Sequence, residues 1–222
     1  MKVALLYSGL VRTLEHTWGT TTKYLGRYSP DVYYYLNEPE KEGRVRELLR
    51  PRGLLAEADP VLPEHDYHTR LGPGLRAVQN DLRQMYGMMK VNELCRSTGV
   101  AYDWVVRIRP DVEITRGPEP LESLDPALLY IPRINNWFGY SDRFAIGPPG
   151  LMDVYMGRYT AFDAYFKEGG VFQMESFLAY HLRNQGIKIG RTQTVFNMLK
   201  VDKKGMLTRD PPYASPEWGD WQ

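Results

Sequence analysis

Two short runs of strand-forming residues near the N-terminus, separated by a segment of helix length, constrain the fold most. Residues 3–7 (VALLY) are continuously apolar and end at Ser8 and Gly9, and Asp31–Leu36 (DVYYYL) is rich in β-branched and aromatic residues. Both patterns are typical of buried strands. Residues 13–24 between them are long enough to form a helix. A strand–helix–strand order predicts parallel strands joined by crossover connections, and hence the α/β class.

The remaining sequence continues this alternation of strands and helices. In the clearest helix, apolar residues over 75–89 recur at steps of three and four between Pro73 and Gly99. Other helices are predicted over 40–49, 151–166 and 174–184, and other strands over 103–114, 128–132 and 144–146. Residues 59–74 show no period, which predicts a long loop. No internal repeat or linker is evident, so we expect a single domain over residues 1–222.

Charge and cysteine content exclude several functional classes. The 222 residues carry 28 basic and 27 acidic side chains, a net charge of +1. This balance argues against a main role in holding a nucleic-acid backbone, so no nucleic-acid partner is expected. Cys95 is the one cysteine and cannot form an intramolecular disulfide, which favours a cytoplasmic location. No apolar run reaches the roughly 20 residues of a membrane helix, so no membrane span is expected.

Polar residues follow three of the predicted strands near their carboxyl ends. They are Ser8, Gly9 and Arg12 after the first strand, Asn37 and Glu38 after the second, and Arg109, Pro110 and Asp111 late in the third. On open parallel sheets, ligands bind at the carboxyl ends of the strands. We therefore expect these residues to meet in one crevice.

The third of these strands, over 104–114 (WVVRIRPDVEI), alternates apolar and charged residues. If the strand stays regular, four charged residues share one face, namely Arg107, Arg109, Asp111 and Glu113. Such charges are costly on a buried strand unless they pair with one another or meet a charged ligand, so a structural Arg–Asp network and a ligand site both remain open. Pro110 interrupts the hydrogen-bond ladder, which predicts that Asp111 lies just past the strand end.

A carboxylate and an arginine at this edge point to phosphate chemistry. A carboxylate there can hold a divalent cation that bridges two phosphates. The planar donor fork of an arginine can instead bind a diphosphate directly.

Several segments together resemble the small GT-A glycosyltransferases of bacterial and viral polysaccharide clusters, including WavE-like lipopolysaccharide enzymes and enzymes of large algal viruses. The matching segments are RIRPD at 107–111, SGLVR at 8–12, NDLRQ at 80–84, and WFGYSDRFAIG at 137–147. The resemblance implies a GT-A-like open, mostly parallel twisted sheet flanked by helices. It also implies transfer of a sugar from a nucleotide-diphosphate sugar, usually a UDP-sugar in this family, to a glycan or another hydroxyl acceptor.

The same resemblance implies roles for eight residues. Those expected to bind the nucleotide sugar are Ser8, Gly9, Arg12, Arg83, Arg109 and Asp111, with Asp111 also a ligand of Mn²⁺ or Mg²⁺. Asp142 is expected to grip sugar hydroxyls and Glu175 to act as the base, although the two could exchange roles. Structural explanations also remain open for both residues. Asp142 could be a turn residue, and the helix dipole favours an acid such as Glu175 at the start of a helix.

The metal expectation carries a departure from the family pattern. Most metal-dependent GT-A enzymes have Asp-x-Asp where this chain has Arg109, Pro110 and Asp111. Asp111 therefore keeps one ligand position, and Arg109 could instead neutralise the diphosphate and make the metal dispensable. His181 is a second possible ligand, but its place on an apolar helix stripe favours a core role.

Two other functions stay open at the level of sequence. A catalytically silent carbohydrate- or nucleotide-sugar-binding protein is one, because Arg109 replaces an acid. A sugar nucleotidyltransferase is the other, although residues 8–13 are too short and too poor in glycine for the loop of that class. No G-x-G-x-x-G, P-loop or G-x-S-x-G motif occurs, which argues against NAD enzymes, P-loop NTPases and α/β-hydrolases.

Overall fold

The computed structural model describes residues 1–72, 77–202 and 204–213, which form ten strands and six helices. The strands are β1 (Val3–Gly9), β2 (Asp31–Leu36), β3 (Gly53–Ala56), β4 (Trp104–Ile108), β5 (Val112–Arg116), β6 (Leu129–Pro132), β7 (Phe144–Gly147), β8 (Ile189–Thr192), β9 (Val195–Val201) and β10 (Leu207–Asp210). The helices are α1 (Leu14–Leu25), α2 (Glu42–Leu49), α3 (Val78–Ser97), α4 (Pro149–Met156), α5 (Phe162–Lys167) and α6 (Met174–Asn184). No described helix is long and apolar enough to cross a membrane.

Seven strands form one mixed sheet in the order β3-β2-β1-β4-β7-β6-β8. β1 pairs in parallel with β2 and with β4, β2 with β3, and β6 with β8. β7 pairs antiparallel with both β4 and β6, so it is the one reversed strand of the seven. The α/β class and the mostly parallel sheet flanked by helices are confirmed, and the described residues pack as one compact domain.

The central strand β1 is buried on both faces, which explains its continuous apolar run. Leu5 and Tyr7 pack into a core that also contains side chains of α1 and α2. Ala4 and Leu6 alternate with them and enter a second core built with α3, α4 and α6. Because helices cover both faces, no position in this part of β1 is left for a polar side chain.

The strand predicted over 103–114 is divided into two strands, and the predicted interruption at Pro110, with Asp111 past the end of the first strand, is confirmed. The chain leaves the main sheet after Ile108, turns with a hydrogen bond from the Val112 N–H to the Arg109 carbonyl (3.1 Å), and continues as β5. β5 belongs to a second, antiparallel sheet in the order β10-β9-β5. Pro110 has no N–H for the ladder, which is the physical reason for the break.

The four charged residues of that segment therefore do not share one face. Arg107 is fully buried in β4, and Arg109 and Asp111 lie at the turn. Glu113 accepts hydrogen bonds from Arg209 of β10.

The other predicted helix and loop boundaries lie closer to those of the structure. The helix predicted to begin at Leu75 begins at Val78 in the structure, and both Pro73 and Leu75 lie outside the described residues. The helix predicted over 151–166 is divided into α4, a 3₁₀ segment at Gly157–Ala161, and α5. Residues 59–72 form the predicted loop, which contains one short 3₁₀ segment, Tyr67–Arg70. The sequence pattern did not predict β3, β8, β9 or β10.

Two helix glycines offer a test of how tightly α3 packs on the sheet. A Cβ at Gly87 of α3 would lie 2.7 Å from the Tyr35 ring, which is fully buried and whose hydroxyl donates to Glu57. At Gly43 of α2 a Cβ would meet no atom within 4 Å. We expect Gly87→Ala to lower the free energy of unfolding by about 1–3 kcal/mol through overpacking. Gly43→Ala, the matched control, should raise it by up to about 1 kcal/mol through helix propensity. Urea unfolding measures both, and equal effects would contradict the packing argument.

Candidate functional site

The carboxyl ends of β1, β2 and β4 open into a cavity of about 640 Å³. All the residues predicted to meet there line it, including Asn37 and Glu38. The residues predicted to bind the nucleotide sugar also all line it, namely Ser8, Gly9, Arg12, Arg83, Arg109 and Asp111. The predicted convergence is therefore confirmed, whereas the binding roles of these residues stay predictions.

Parallel pairing brings these strand ends side by side. Gly9 at the end of β1 is in register with Leu36 at the end of β2, and Tyr7 is in register with Ile108 of β4. Gly9 has a φ of +118°, which residues with a side chain rarely adopt. A glycine at this point lets the chain turn out of β1 and carry Arg12 to the rim of the cavity.

An arginine–carboxylate pair lies at the end of β4. Arg109 donates from Nε to Oδ1 of Asp111 (3.0 Å) and from Nη2 to Oδ2 (2.7 Å), and both side chains are about a quarter exposed, at 26% and 25%. Arg109 also donates from Nη1 to Oε1 of Gln84 (3.1 Å). Burial alone would lower the pKa of Arg109, but Asp111 and the nearby Asp142 and Asp81 carboxylates raise it above its ordinary value.

The other cations of the cavity differ in how they are paired. Arg83 of α3 lies 3.4 Å from Asp59 and donates to the Pro60 carbonyl. Lys200 of β9 pairs with Asp210. Arg12 is exposed and forms no ion pair with any other described residue. Among the cavity cations in the described part of the chain, Arg12 is the one whose charge is unmatched.

The donor set does not fit a carboxylate-held metal ion. Both oxygens of Asp111 already accept from Arg109, and Glu38 accepts from the Val11 N–H and pairs with Lys41. Within the described residues, no group of three or more His, Cys, Asp or Glu side chains is placed to hold a metal.

His181, the other possible ligand, is a core residue. It is buried in α6, its Nε2 lies 3.1 Å from the Val154 carbonyl, and burial lowers its pKa.

The structure buries Asp142 outside the lining of the cavity. Its carboxylate lies 3.3 Å from Nη2 of Arg158 and accepts a hydrogen bond from Nε2 of Gln84, and the exposed fractions of the Asp142 and Arg158 side chains are 3% and 0%. Burial alone would raise the pKa of Asp142, but Arg158, Arg143 and Arg109 lower it below its ordinary value. Among the described residues, Gln84 is the cavity-lining side chain to which Asp142 is hydrogen-bonded.

Glu175 lies at the start of α6, close to Asp142 but also outside the cavity lining. It accepts from Nε2 of Gln173 (2.7 Å), and Arg143 lies 3.3 Å away. Burial, followed by the charge of Asp142, raises the pKa of Glu175 to about 7. The Arg143 carbonyl accepts from the Arg109 N–H, which links this region to the end of β4.

The loop at 137–140 rests directly on the start of α6. The Tyr140 N–H donates to the Glu175 carbonyl (3.1 Å), and a Cβ at Gly139 would lie 1.9 Å from that oxygen. Only a glycine permits this approach. Trp137 and Phe138 on the same loop are about half exposed.

Sequence reasoning missed two groups of residues at this site. Asp81 lies on α3, two residues before the predicted binding residue Arg83. Burial, together with the charge of Asp142, raises the pKa of Asp81 to about 6. β9 brings Leu199 and Lys200 to the cavity, and the Leu199 N–H donates to the Asp111 carbonyl (2.8 Å). The apolar and β-branched content of 195–201 was the one signal that could have indicated β9.

Comparison with known proteins adds no family to this description. The chain matches no family model, and no curated protein matches it at a significant level. The geometry of the cavity and the resemblance of the motifs are therefore the features that bear on function.

The burial of Asp142 predicts a large structural effect of its neutralisation. Asp142→Asn leaves the charge of Arg158 unpaired in the interior, so we expect the free energy of unfolding to fall by about 3 kcal/mol. Glu47→Gln breaks the exposed ion pair with Arg44 and should change it by less than about 1 kcal/mol. Denaturant unfolding of both variants makes the comparison. An Asp142→Asn variant as stable as the wild type would contradict this structural role and favour the predicted contact of Asp142 with sugar hydroxyls.

Proposed function

We propose that the chain is a glycosyltransferase that moves a sugar from a nucleotide-diphosphate sugar to a glycan or another hydroxyl acceptor. A UDP-sugar is the first candidate donor because the resembled family commonly uses one. One observation carries the proposal: Arg12, which has no ion-pair partner among the described residues, shares the cavity at the strand ends with the Arg109–Asp111 pair. Parallel sheets bind ligands at this edge, and arginine donors match phosphate oxygens.

The size and charge of the cavity support a ligand of this class. A volume of about 640 Å³ lies within the range of small-molecule sites. Four cations line the cavity (Arg12, Arg83, Arg109 and Lys200) against three acids (Glu38, Asp59 and Asp111), which leaves an excess of one positive charge. Arginine donors near the leaving diphosphate stabilise the negative charge that it gains in the transition state.

The reaction also needs a group that receives the acceptor proton if the transfer inverts configuration. We assign this role to Glu175, because its side chain is 12% exposed whereas that of Asp142 is only 3% exposed. Asp142 becomes a positioning residue that acts on Arg109 through Gln84. The half-exposed ring of Trp137 lies on the loop beside Glu175 and offers an apolar face to an acceptor sugar.

A binding protein without turnover is the second candidate. The observation that favours it is the contact of Arg109 with both oxygens of Asp111. This contact occupies the carboxylate that the resembled family usually uses as a metal ligand. We expect the protein to act in the cytoplasm in either case, since Cys95 is a free, buried thiol.

A panel of UDP-, dTDP- and GDP-sugars tests the proposed function, with release of the nucleotide diphosphate as the readout. We expect slow hydrolysis of one donor. Arg12→Ala should weaken the binding of that donor by about tenfold to a hundredfold through loss of a charge-assisted contact. Arg96→Ala is the matched control, because Arg96 lies about 20 Å along α3 from Arg83 and pairs with Asp153. Donor binding without turnover would favour the silent binder. Silence with no donor-induced thermal shift would contradict both functions.

The raised pKa of Glu175 predicts the pH dependence of turnover. A base must be ionised, and with a pKa of about 7 Glu175 is protonated below that pH, so kcat should rise as the pH increases through about 7. Burial is the largest cause of the raised pKa; among the charged neighbours, Asp142 and Asp81 add to it and Arg143 opposes it. Glu175→Gln should reduce kcat by about 10²- to 10⁴-fold and abolish the rise. Glu168→Gln, which alters an exposed acid bonded to Tyr180 of the same helix, serves as the control. An acidic limb near the ordinary pKa of 4.5 would contradict the assignment.

A further inference from the structure

The contact between Arg109 and Asp111 leaves the carboxylate poorly suited to a cation. Each oxygen of Asp111 already accepts a hydrogen bond from the guanidinium, at 3.0 and 2.7 Å. A divalent ion on the remaining lone pairs would lie beside the positive charge of Arg109, and the two cations would repel each other in a partly buried site.

No other acid of the cavity is free to replace Asp111. Glu38 accepts from the Val11 N–H and pairs with Lys41, and Asp59 pairs with Arg83. A Mg²⁺ site normally needs one or two carboxylates that are available as ligands. Across the described residues that line the cavity, every carboxylate has a basic partner.

Arg109 keeps donors for a ligand while it holds Asp111. A guanidinium has five N–H groups, and in this structure one on Nε, one on Nη2 and one on Nη1 are used. One N–H on Nη1 and one on Nη2 have no partner among the residues that the structure describes. Gln84 and Asp111 fix the plane of the group from two sides, so these donors have a set direction. Arg12 adds five further N–H groups.

We propose that Arg12 and Arg109 hold and stabilise the donor diphosphate without a divalent cation. The inference rests on the proposed function and names the residues that replace the metal in it. In the reaction, the bond from the anomeric carbon to the diphosphate oxygen breaks and its electron pair stays on the diphosphate, where the two guanidinium groups receive the charge. If the transfer inverts configuration, the acceptor oxygen bonds to the anomeric carbon and its proton passes to Glu175.

Calorimetric titration of UDP, dTDP and GDP into the full chain tests this, once in EDTA and once in excess MnCl₂. For the nucleotide diphosphate that binds most tightly, we expect the dissociation constants in the two buffers to differ by less than about fivefold. Tightening by Mn²⁺ of more than about fivefold overturns the inference and leaves the glycosyltransferase proposal intact. Absence of binding in both buffers overturns the proposed function itself.

Variants at Arg109 give a second, independent readout. Arg109→Asp places two acids at the turn, as in the Asp-x-Asp motif. Nucleotide diphosphate binding in EDTA should therefore weaken by about tenfold or more, and Mn²⁺ should recover it. Arg96→Ala, at the opposite end of α3, should bind as the wild type does in both buffers. Thermal unfolding confirms that each variant is folded. Undiminished binding by Arg109→Asp in EDTA would overturn the role of Arg109.

Discussion

The cavity depends on a line of polar contacts that begins beneath the sheet. Arg158 has no exposed surface and lies 3.3 Å from Asp142, Asp142 accepts from Gln84, and Gln84 accepts from Arg109, which holds Asp111. A buried charge that loses its partner costs about 3–5 kcal/mol, so Arg158 and Asp142, whose side chains are buried, are held to their contact. The direction of the guanidinium at the cavity is thus determined from within the core.

The strands that carry the site were more predictable from sequence than the strand that closes it. β1 and β2 follow from local apolar runs, and because parallel strands end at one edge, the meeting of Arg12 and Arg109 could be predicted. β9 reaches the cavity through its pairing with β5, in which Val112 is in register with Met198. Pairing between residues so far apart in sequence is not specified by any local pattern, so Lys200 could not be placed.

Two side-chain placements at the site differ from what a simple sequence pattern indicates, each for a particular physical reason. The period-two pattern over 104–114 predicts a shared face only while the ladder continues, and Pro110 ends it. Asp142 follows Gly139 and Ser141, a pattern that predicts an exposed turn. Its burial depends on Arg158, which the chain supplies from the 3₁₀ segment after α4. Nothing in the sequence indicates that an arginine between two apolar helices turns inward to meet that acid.

The buried charges have unequal effects on the acids around them, and this difference links the scaffold to the proposed chemistry. Arg158, Arg143 and Arg109 lower the pKa of Asp142, which stays charged as the anchor. The charge of Asp142 then adds to burial in raising the pKa of Glu175 to about 7. Acids whose environments push their pKa values apart are suited to different tasks. The same arrangement that fixes Arg109 therefore keeps one neighbouring carboxyl able to exchange a proton near neutral pH.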